Sequence, residues 1–505
     1  MLTFAVTLLR VIYVACVVIL AIYTSGQLYL LYTYLRHHQL NAAGRAPEKH
    51  DPVNDAQLPY VTVQLPLYNE RYVARRIIEA AAALDYPRDR LHIQVLDDST
   101  DDTVELIQLR IAQLQADGLH IDVKHRVNRT GYKAGALADG LRSTDGEFVA
   151  IFDADFVPAP DFLRQTIPYF LANKDVGVVQ TRWGHLNESD NLLTRSQAIA
   201  IDGHFVVEQV ARSVGDLIFG FSGSCGLWRR SCIEDAGGWH SDTLTADFDL
   251  SYRAHLKGWR FIYVRDIVVP GEIPPHMAAY KQQQARWAKG STQVLLKLAI
   301  PLICSRLSLR KRIMGLLQLF QYTIHPIMLL MFLLSPLMLL SHSMDQLTLT
   351  PLGVLGLGVP MLCLLGQQAL HRDWLRRSLY FPMLMIFTTG MMINNSRAVV
   401  SALLRKPGEF KRTPKFNGVT TQWKRTQYAS AADGDMTWEI GFGIYALVAA
   451  LMAYRLAPSM IVYFALYAAA FFSVAGWAVA DRMAQARPIR TAHGAETEAI
   501  GQVGR

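Results

Sequence analysis

The sequence has little cysteine and lacks the common glycine-rich nucleotide-binding motifs. Only five of its 505 residues are cysteine, and their positions do not have the spacing of a metal site. Neither a Gly-x-Gly-x-x-Gly after the first predicted strand nor a Walker lysine motif occurs. A dinucleotide site or a P-loop site is therefore not indicated. Structural disulfides are not expected if the central part of the chain is cytosolic.

Charged residues are also sparse, and they are unevenly distributed. They make up 18% of the chain, whereas hydrophobic residues make up 51%. Residues 11–34 are almost uncharged and long apolar runs recur after about residue 313, which predicts a soluble part between membrane spans. The net charge of +8 could suggest nucleic acid. However, Lys and Arg concentrate beside the apolar runs, where the positive-inside bias explains them, so no nucleic-acid partner is expected.

The residues from Phe148 to Asp155 form an apolar run that ends at two aspartates one residue apart. The run predicts a strand buried on both faces, as in a parallel sheet covered by helices. In an extended backbone Asp153 and Asp155 would point to the same side, where they could hold a divalent cation or its bound phosphate. The alternative interpretation is a solvated turn after a strand.

Strand and helix patterns alternate from Tyr60 onward. Strands are predicted over Tyr60–Leu65, Leu91–Leu96 and Ile121–Lys124, ahead of the strand at Phe148. This series predicts an α/β fold with a mostly parallel sheet. Acids and a lysine that converge on one sheet edge suggest a nucleotide diphosphate with a further group attached. The converging residues are Asn69, Glu70, Asp97, Asp98, Lys133, Asp153 and Asp155.

Two further motifs lie beyond the fourth predicted strand. Asp247 comes at the start of a helical pattern, where it is either a general base or an acid that stabilises the first helical turn. Gln283, Arg286 and Trp287 share one face of another predicted helix. A guanidinium beside an indole would suit a pyrophosphate next to a sugar ring, but an amphipathic helix on a membrane surface has the same pattern.

Together the motifs resemble family 2 glycosyltransferases, specifically the processive, membrane-embedded branch of cellulose, mannan, glucomannan and hyaluronan synthases. The residues of these motifs are similar above all to those of mannan and glucomannan synthases and their bacterial relatives. The resemblance covers about residues 55–425. Its motifs are Pro66-x-Tyr68-Asn69-Glu70, Leu96-Asp97-Asp98-Ser99-Thr100-Asp101, Arg129-x-Gly131-x-Lys133, Asp153-x-Asp155, Gln180-Thr181-Arg182-Trp183, Thr245-x-Asp247 and Gln283-x-x-Arg286-Trp287.

The resemblance implies a Rossmann-like, GT-A type domain that binds a nucleotide sugar and is inserted between transmembrane helices. Acids after the first two strands would hold the nucleobase and ribose, and a lysine would hold the diphosphate. Asp153 with Asp155 would hold a divalent cation, Mg²⁺ or Mn²⁺. The donor, of the UDP-glucose or GDP-mannose class, would thus be bound by Glu70, Asp97, Asp98, Lys133, Asp153 and Arg286.

The resemblance also implies a direct inverting displacement. Asp247 would take the proton of the acceptor hydroxyl, and Arg286 would steady the leaving diphosphate. Gln283 with Trp287 would form the floor of the acceptor site. The chain departs from the family at Ala246, where relatives usually have an acid, and this puts rate and acceptor choice in doubt more than activity.

Hydropathy divides the chain into an N-terminal transmembrane helix, a linker, a cytosolic glycosyltransferase domain, a membrane domain and a polar, basic tail. Their predicted ranges are 1–40, 41–59, 60–300, 301–481 and 482–505. Five spans are predicted, with the amino terminus outside and the carboxyl terminus inside. They cover residues 11–34, 313–340, 351–370, 440–454 and 460–480. Residues 379–396 are predicted to lie along the cytosolic interface, because a span there would put a basic flank outside.

A predicted loop over 405–435 contains a segment that resembles the Phe-x-Val-Thr-x-Lys gating loop of cellulose synthases. Its matching residues are Phe410, Thr413 and Lys415, and Arg412 replaces the Val. By resemblance this loop would close over the loaded donor. The alternative is that a basic loop merely binds anionic lipid head groups.

The function implied is that of a multi-pass enzyme of the plasma (inner) membrane. It would transfer hexose from a nucleotide sugar to a growing β-linked polysaccharide of the β-1,4-mannan or glucan type. Its catalytic domain would be cytosolic, and elongation would be processive and coupled to secretion. Partners would be the nucleotide sugar, the polysaccharide acceptor and membrane lipid. Two alternatives stay open: a lipid glucosyltransferase of the ceramide type, and a non-catalytic membrane carrier or nucleotide-sugar-binding pseudoenzyme.

Overall fold

The computed structural model describes residues 2–42, 53–343, 356–410, 412, 413, 415 and 436–486. Between an N-terminal helix and a set of apolar helices lies an α/β domain built on one sheet of seven strands. The strands are β1 Val61–Leu67, β2 Leu91–Asp97, β3 Ile121–His125, β4 Phe148–Ile151, β5 Val176–His185, β6 Gly226–Arg229 and β7 Arg260–Gly271.

The sheet has the order β3-β2-β1-β4-β6-β5-β7. Among these strands, β6 alone runs antiparallel to its neighbours β4 and β5, so the predicted mostly parallel sheet is confirmed. The chain adds β2 and β3 on one side of β1 and then returns to add β4 on the other side. Open α/β sheets bind ligands at the carboxyl ends of strands at such a reversal.

Helices cover both faces of the sheet and form the apolar part of the chain. Within the described ranges they are α1 Leu2–Ala42, α2 Ala74–Ala82, α3 Thr103–Ala116, α4 Tyr132–Arg142, α5 Phe162–Ala172, α6 Leu192–Asp202, α7 Gln209–Val214, α8 Arg230–Asp235, α9 Ala246–Leu256, α10 Met277–Ile303, α11 Leu309–Leu319, α12 Ile324–Leu340, α13 Gly358–Leu370, α14 Trp374–Ser378, α15 Phe381–Gly390, α16 Met392–Leu403, α17 Met436–Leu456 and α18 Ile461–Ala486. A π-helical segment, Gly203–Glu208, joins α6 to α7.

The core lies on both faces of the sheet, as the uninterrupted apolar strands predict. Successive side chains of β4 alternate between the two faces. Phe148 and Ala150 pack in one buried cluster, and Val149 and Ile151 pack in the other. All four side chains are fully buried. Because both faces of β4 are buried, the register of this strand is fixed. The position of the residues that follow it is therefore fixed as well.

The two aspartates after β4 are not in the extended conformation that the sequence suggested. β4 ends at Ile151, and Asp153 and Asp155 lie in the turn that follows. The amide N of Asp153 donates to Ser224 Oγ at 2.9 Å instead of to a neighbouring strand. The amide N of Phe156 then donates back to Asp153 O at 3.1 Å. The prediction of an extended backbone through both acids is therefore wrong, because the ladder stops and the chain turns back.

Three helices of the described part are long and apolar enough to cross a membrane: Thr3–His37, Met436–Leu456 and Pro458–Met483. A fourth span results if α11 and α12, which are bent by 62° at their break, count as one. The chain is thus a membrane protein, with three or four of the five predicted spans. Of the predicted span over 351–370, only the part from residue 356 onward is described. This part contains α13, a helix of 13 residues.

A buried ion pair connects α10, which follows the sheet domain, to the apolar helix α17. Lys281 Nζ lies 2.5 Å from Glu439 Oε1, and the Glu439 side chain is completely buried. Asn394 of α16 also donates through Nδ2 to the carbonyl oxygen of Lys281 at 3.0 Å. α10 is therefore held on one side by the sheet domain and on the other by apolar helices.

Candidate active site

A cavity of about 640 Å³ opens at the carboxyl ends of the central strands. Its walls come from the loops after β1, β2 and β4, the first turns of α4 and α9, one face of α10 and the segment around residue 410. Twelve of the thirteen residues to which the sequence analysis gave a catalytic, binding, metal or gating role line it. They are Glu70, Asp98, Lys133, Asp153, Asp155, Asp247, Gln283, Arg286, Trp287, Phe410, Thr413 and Lys415.

Asp97 is the predicted residue that does not line the cavity. Its Oδ2 accepts a hydrogen bond from His125 Nδ1 at 2.8 Å, its Oδ1 accepts one from the Ser99 amide at 2.9 Å, and its side chain is buried. Asp97 therefore stabilises the loop after β2 through these two hydrogen bonds. Asp98, by contrast, reaches the cavity while both its oxygens accept from Arg126 at 2.7 Å.

An aromatic ring and an arginine stand at one end of the cavity. The Arg129 guanidinium carbon lies 3.4 Å from the centroid of the Tyr68 ring, a cation–π contact. Arg412 Nη1 donates to Tyr68 O at 3.1 Å and lies 3.3 Å from Glu70 Oε2. Burial raises the pKa of Glu70 to about 7, and the Arg412 charge opposes that shift. The charge of Glu70 thus depends on which cation stands beside it.

The two aspartates after β4 each have a lysine partner. Lys133 Nζ donates to Asp153 Oδ1 at 2.5 Å and to Gly223 O at 2.7 Å. Lys415 Nζ donates to Asp155 Oδ2 at 2.5 Å and to Glu272 O at 2.8 Å. Two carboxylates that open into one cavity form the hard oxygen donor set that Mg²⁺ and Mn²⁺ prefer. These residues therefore fit a divalent cation, which would replace the lysines as the counter-charge.

A second group of potential ligands, His240, Asp242 and Asp249, has its ligand atoms within 4.8 Å of one another. Cationic side chains of the protein already stand among them. Lys297 Nζ lies 2.8 Å from Asp242 Oδ2 and 2.9 Å from Asp249 Oδ1. Arg253 Nη2 is 2.8 Å from Asp249 Oδ2. With two cationic side chains on the completely buried Asp249, the group suits a salt-bridge network better than a metal ion.

Asp247 lies in the first turn of α9, as predicted, and its side chain faces the loop before β6. A Cβ atom at Gly223 would lie 2.9 Å from Asp247 Oδ2 and 3.7 Å from Lys133 Nζ. The close approach of the carboxylate therefore requires glycine at position 223. Burial raises the pKa of Asp247, and the nearby charges of Lys133 and Arg286 oppose this shift. A carboxylate with a raised pKa is a better proton acceptor than an ordinary aspartate.

One face of α10 closes the other end of the cavity, as its sequence pattern predicted. Gln283, Arg286 and Trp287 all line the cavity. Burial lowers the pKa of Arg286, while the charges of Asp153, Asp247 and Asp155 oppose the shift. Arg286 Nε is buried and has no hydrogen-bond partner among the described residues, so the guanidinium has a donor available for an anion. The helix thus presents an arginine and an indole to the same space as Asp247.

The segment around residue 410 lies against the cavity. The Arg286 guanidinium carbon is 4.6 Å from the Phe410 ring centroid, and the Phe410 and Tyr132 rings are 6.0 Å apart. Thr413 is buried. Sequence reasoning noted Arg412 as a departure from Val but gave it no role. It missed Glu272, which lines the cavity and whose carbonyl oxygen accepts from Lys415, because a contact through the backbone leaves no signal in the sequence.

Comparisons with known proteins found two matching families and similar plant proteins. Residues 59–290 match the family described as Glycosyltransferase like family 2, and residues 219–374 match the family described as Cellulose synthase. The chain is 39% identical over 322 residues to a probable glucomannan 4-beta-mannosyltransferase 9 of Oryza sativa subsp. japonica, with 60% of each chain covered. It is 43% identical over 265 residues to glucomannan 4-beta-mannosyltransferase 2 of Arabidopsis thaliana, with 50% of each covered.

The fold is similar to that of a mannosyltransferase from Pyrobaculum calidifontis solved with GDP-Man and Mn²⁺. The TM-score is 0.50 at 23% identity, over 79% of this chain and 100% of that one. This likeness supports the GT-A type of fold. The chain spans 60% and 50% of the length of the two plant relatives. By the two family matches and the plant relatives together, this chain is similar to glycosyltransferase family 2 and to its cellulose-synthase-like branch.

Proposed function

We propose that the protein is an inverting hexosyltransferase of the membrane that moves a sugar from a nucleotide-sugar donor to a growing β-linked polysaccharide. The observation that carries the proposal is that one cavity holds a partly buried acid, Asp247, together with Lys133, Arg286 and the two aspartates after β4. A general base, cations for a diphosphate and acids for a divalent cation are the groups that glycosyl transfer requires.

The residues supply each part of one displacement. Asp247 takes the proton of an acceptor hydroxyl, and the hydroxyl oxygen forms a bond to the anomeric carbon of the donor. The bond from that carbon to the diphosphate oxygen breaks, and the nucleoside diphosphate leaves with the electron pair. Lys133 and Arg286 stabilise its negative charge. A divalent cation held by Asp153 and Asp155 would neutralise further charge on the same group.

The sugar and linkage are proposed from the relatives. Both plant relatives named above are glucomannan 4-beta-mannosyltransferases, so a mannosyl donor and a β-1,4 linkage are the first candidates for this chain. Glu70, Asp98 and Tyr68 would surround the nucleobase and ribose at one end of the cavity. Gln283 and Trp287 would support the terminal sugar of the acceptor at the other end.

The segment from Phe410 to Lys415 would act as a gating loop. Three of its side chains contact residues of the proposed donor site: Phe410 stacks on Arg286, Arg412 pairs with Glu70 and Lys415 pairs with Asp155. A donor with its cation would compete for these contacts and rearrange the loop. The loop would then cover the loaded cavity and open when the nucleoside diphosphate leaves.

We place the enzyme in the plasma membrane with its catalytic domain in the cytosol. The positive charges beside the apolar helices support this orientation. Reporter tags at the amino terminus and in the 341–350 loop should then be extracellular, and tags near residue 374, in the 405–435 loop and at the carboxyl terminus should be cytosolic. An extracellular 405–435 loop would contradict both the orientation and the gating role.

The test of function is synthesis in isolated membranes. Membranes that contain the protein are incubated with labelled GDP-mannose, UDP-glucose and other nucleotide sugars, and the product is analysed for linkage and chain length. We expect a polymer with β-1,4 linkages from one donor. A product limited to short glycolipid would instead favour the lipid glucosyltransferase.

Two variants control this experiment. Asp247→Asn should form polymer about 10²- to 10⁴-fold more slowly, because the proposed base is lost. Asp266→Asn is the matched control, since its side chain is 79% exposed and it lies outside the cavity lining. Equal synthesis by the Asp247→Asn variant and the wild type would disprove the assignment of the base.

A further inference from the structure

His185, at the end of β5, lines the cavity but has no part in the chemistry above. Its Nε2 lies 3.0 Å from Asp202 Oδ1, and both side chains are buried, with 7% and 2% of their surface exposed. A carboxylate can only accept this hydrogen bond, so the proton of the neutral ring is on Nε2. Nδ1 is then an acceptor. It is buried and has no hydrogen-bond partner among the described residues.

Asp202 is itself fixed from the side of the apolar helices. Its Oδ2 accepts from Gln367 Nε2 of α13 at 2.8 Å, and Gln367 Oε1 accepts from Arg377 Nε at 2.7 Å. Arg377 in turn pairs with Glu188. Each group in this series of hydrogen bonds has a defined donor or acceptor role, which leaves the imidazole of His185 little freedom to rotate. Of these residues His185 is the one that lines the cavity, and its Nδ1 is left without a hydrogen-bond partner among the described residues.

The register of the sheet places His185 near the two aspartates that follow β4. His185 pairs with Gly271 in β7, and Gly271 forms a bridge with Phe156, the residue after Asp155. Glu272, which follows Gly271, accepts the second hydrogen bond of Lys415. His185 is therefore separated by one strand position from Phe156, the residue that follows the second acid of the proposed cation site.

We propose that His185 is a sugar-binding residue whose Nδ1 accepts a hydrogen bond from a pyranose hydroxyl, and that Asp202 is its positioning residue. The inference rests on the proposed function and adds a residue that recognises the sugar and not the nucleotide. The hydroxyl belongs either to the sugar of the donor or to the terminal sugar of the acceptor. Either hydroxyl would donate to Nδ1 in the same way. The kinetics of the His185→Gln variant distinguish the donor sugar from the acceptor sugar.

Two substitutions separate the sugar contact from the packing role. In His185→Gln the side-chain amide reaches the position of Nε2 and still donates to Asp202, but the acceptor at Nδ1 is lost. In His185→Asn the amide oxygen occupies the position of Nδ1, while the contact with Asp202 is lost. The full-length protein in membranes or detergent is used for both, with the nucleoside diphosphate as the binding probe.

For His185→Gln we expect kcat/KM for the nucleotide sugar to fall about 10- to 100-fold, as for the loss of one hydrogen bond to substrate. The Kd of the nucleoside diphosphate and the thermal midpoint should stay within error of the wild type. A raised KM for the donor identifies the donor sugar, and shorter products at unchanged donor KM identify the acceptor. His185→Asn should unfold at a lower temperature yet turn over faster than His185→Gln.

Wild-type kcat/KM and product length in His185→Gln would overturn the inference, since only the packing contact would then matter. A slower rate in His185→Asn than in His185→Gln would overturn it too. A wild-type protein that forms no glycan from any nucleotide sugar would instead overturn the proposed function. The two failures are therefore distinguishable.

Discussion

The substitution Gly223→Ala tests how closely Asp247 must be placed. Gly223 has a φ of +83°, which an alanine adopts at a cost of about 1 kcal/mol. Its Cβ would also lie 2.9 Å from Asp247 Oδ2. The carboxylate would have to move by roughly 0.5 Å to restore an ordinary contact, because close-packed groups do not overlap. Asp247 is thus displaced without a change in its chemistry.

A displacement of about 1 Å in a reacting group can cost about 100-fold in rate. For Gly223→Ala we therefore expect kcat to fall roughly 10- to 100-fold, which corresponds to about 1.4–2.7 kcal/mol of activation free energy. The initial rate of polymer formation measures kcat, and calorimetric titration measures the affinity for the nucleoside diphosphate. The affinity should change much less than the rate, because Gly223 contributes only a carbonyl to Lys133.

Gly258→Ala is the matched control for backbone strain. Gly258 has a φ of +96° and a Cβ there would meet nothing within 4 Å. Both variants should therefore lose a similar amount of thermal stability, and only Gly223→Ala should lose rate. If the two variants turned over equally fast, the close contact of Gly223 with Asp247 would be irrelevant to catalysis.

The remaining predictions concern the base, the cation, the acceptor and the loop. Asp247→Asn should lower kcat about 10²- to 10⁴-fold while donor affinity stays near that of the wild type. Because burial raises the pKa of Asp247 and the base acts when deprotonated, the wild-type rate should fall with decreasing pH at values above the usual aspartate range; a pH–rate profile tests this. Chelation of divalent cations and Asp155→Asn should each abolish turnover, measured with labelled donor. Trp287→Ala should release short oligomers, seen by mass spectrometry, and full-length products would contradict its acceptor role. Thr413→Ala combined with Lys415→Ala should slow elongation in a time course without reducing membrane insertion.

The sequence predicted the sheet domain well because its strands are apolar on both faces and its helices begin at recognisable residues. The helix that starts before Asp247 and the helix that presents Gln283, Arg286 and Trp287 are both present as predicted. The polar residues after successive strands meet at one edge, because parallel strands place their carboxyl ends together. Local pattern and parallel topology were sufficient for this part.

Contacts between distant segments could not be predicted in the same way. The pairing of Asp155 with Lys415 joins residues that are 260 positions apart. The turn at Asp153 depends on Ser224, and the burial of Asp97 depends on His125. In these cases the deciding partner comes from another element, so the local sequence contains no signal for it. The position of His185 beside Asp202 is a further example.

The buried pair of Lys281 and Glu439 bears on how the chain can be divided. α10 continues the sheet domain, but its Lys281 is neutralised by a residue of α17, which begins at Met436. A truncated chain that ended after α10 would keep the ammonium group of Lys281 without Glu439, and breaking a buried pair costs about 3–5 kcal/mol. The glycosyltransferase domain is therefore not an independent folding unit at its carboxyl side. Expression trials should retain the helix that carries Glu439, and Lys281→Met paired with Glu439→Leu is the substitution that could free the domain from it.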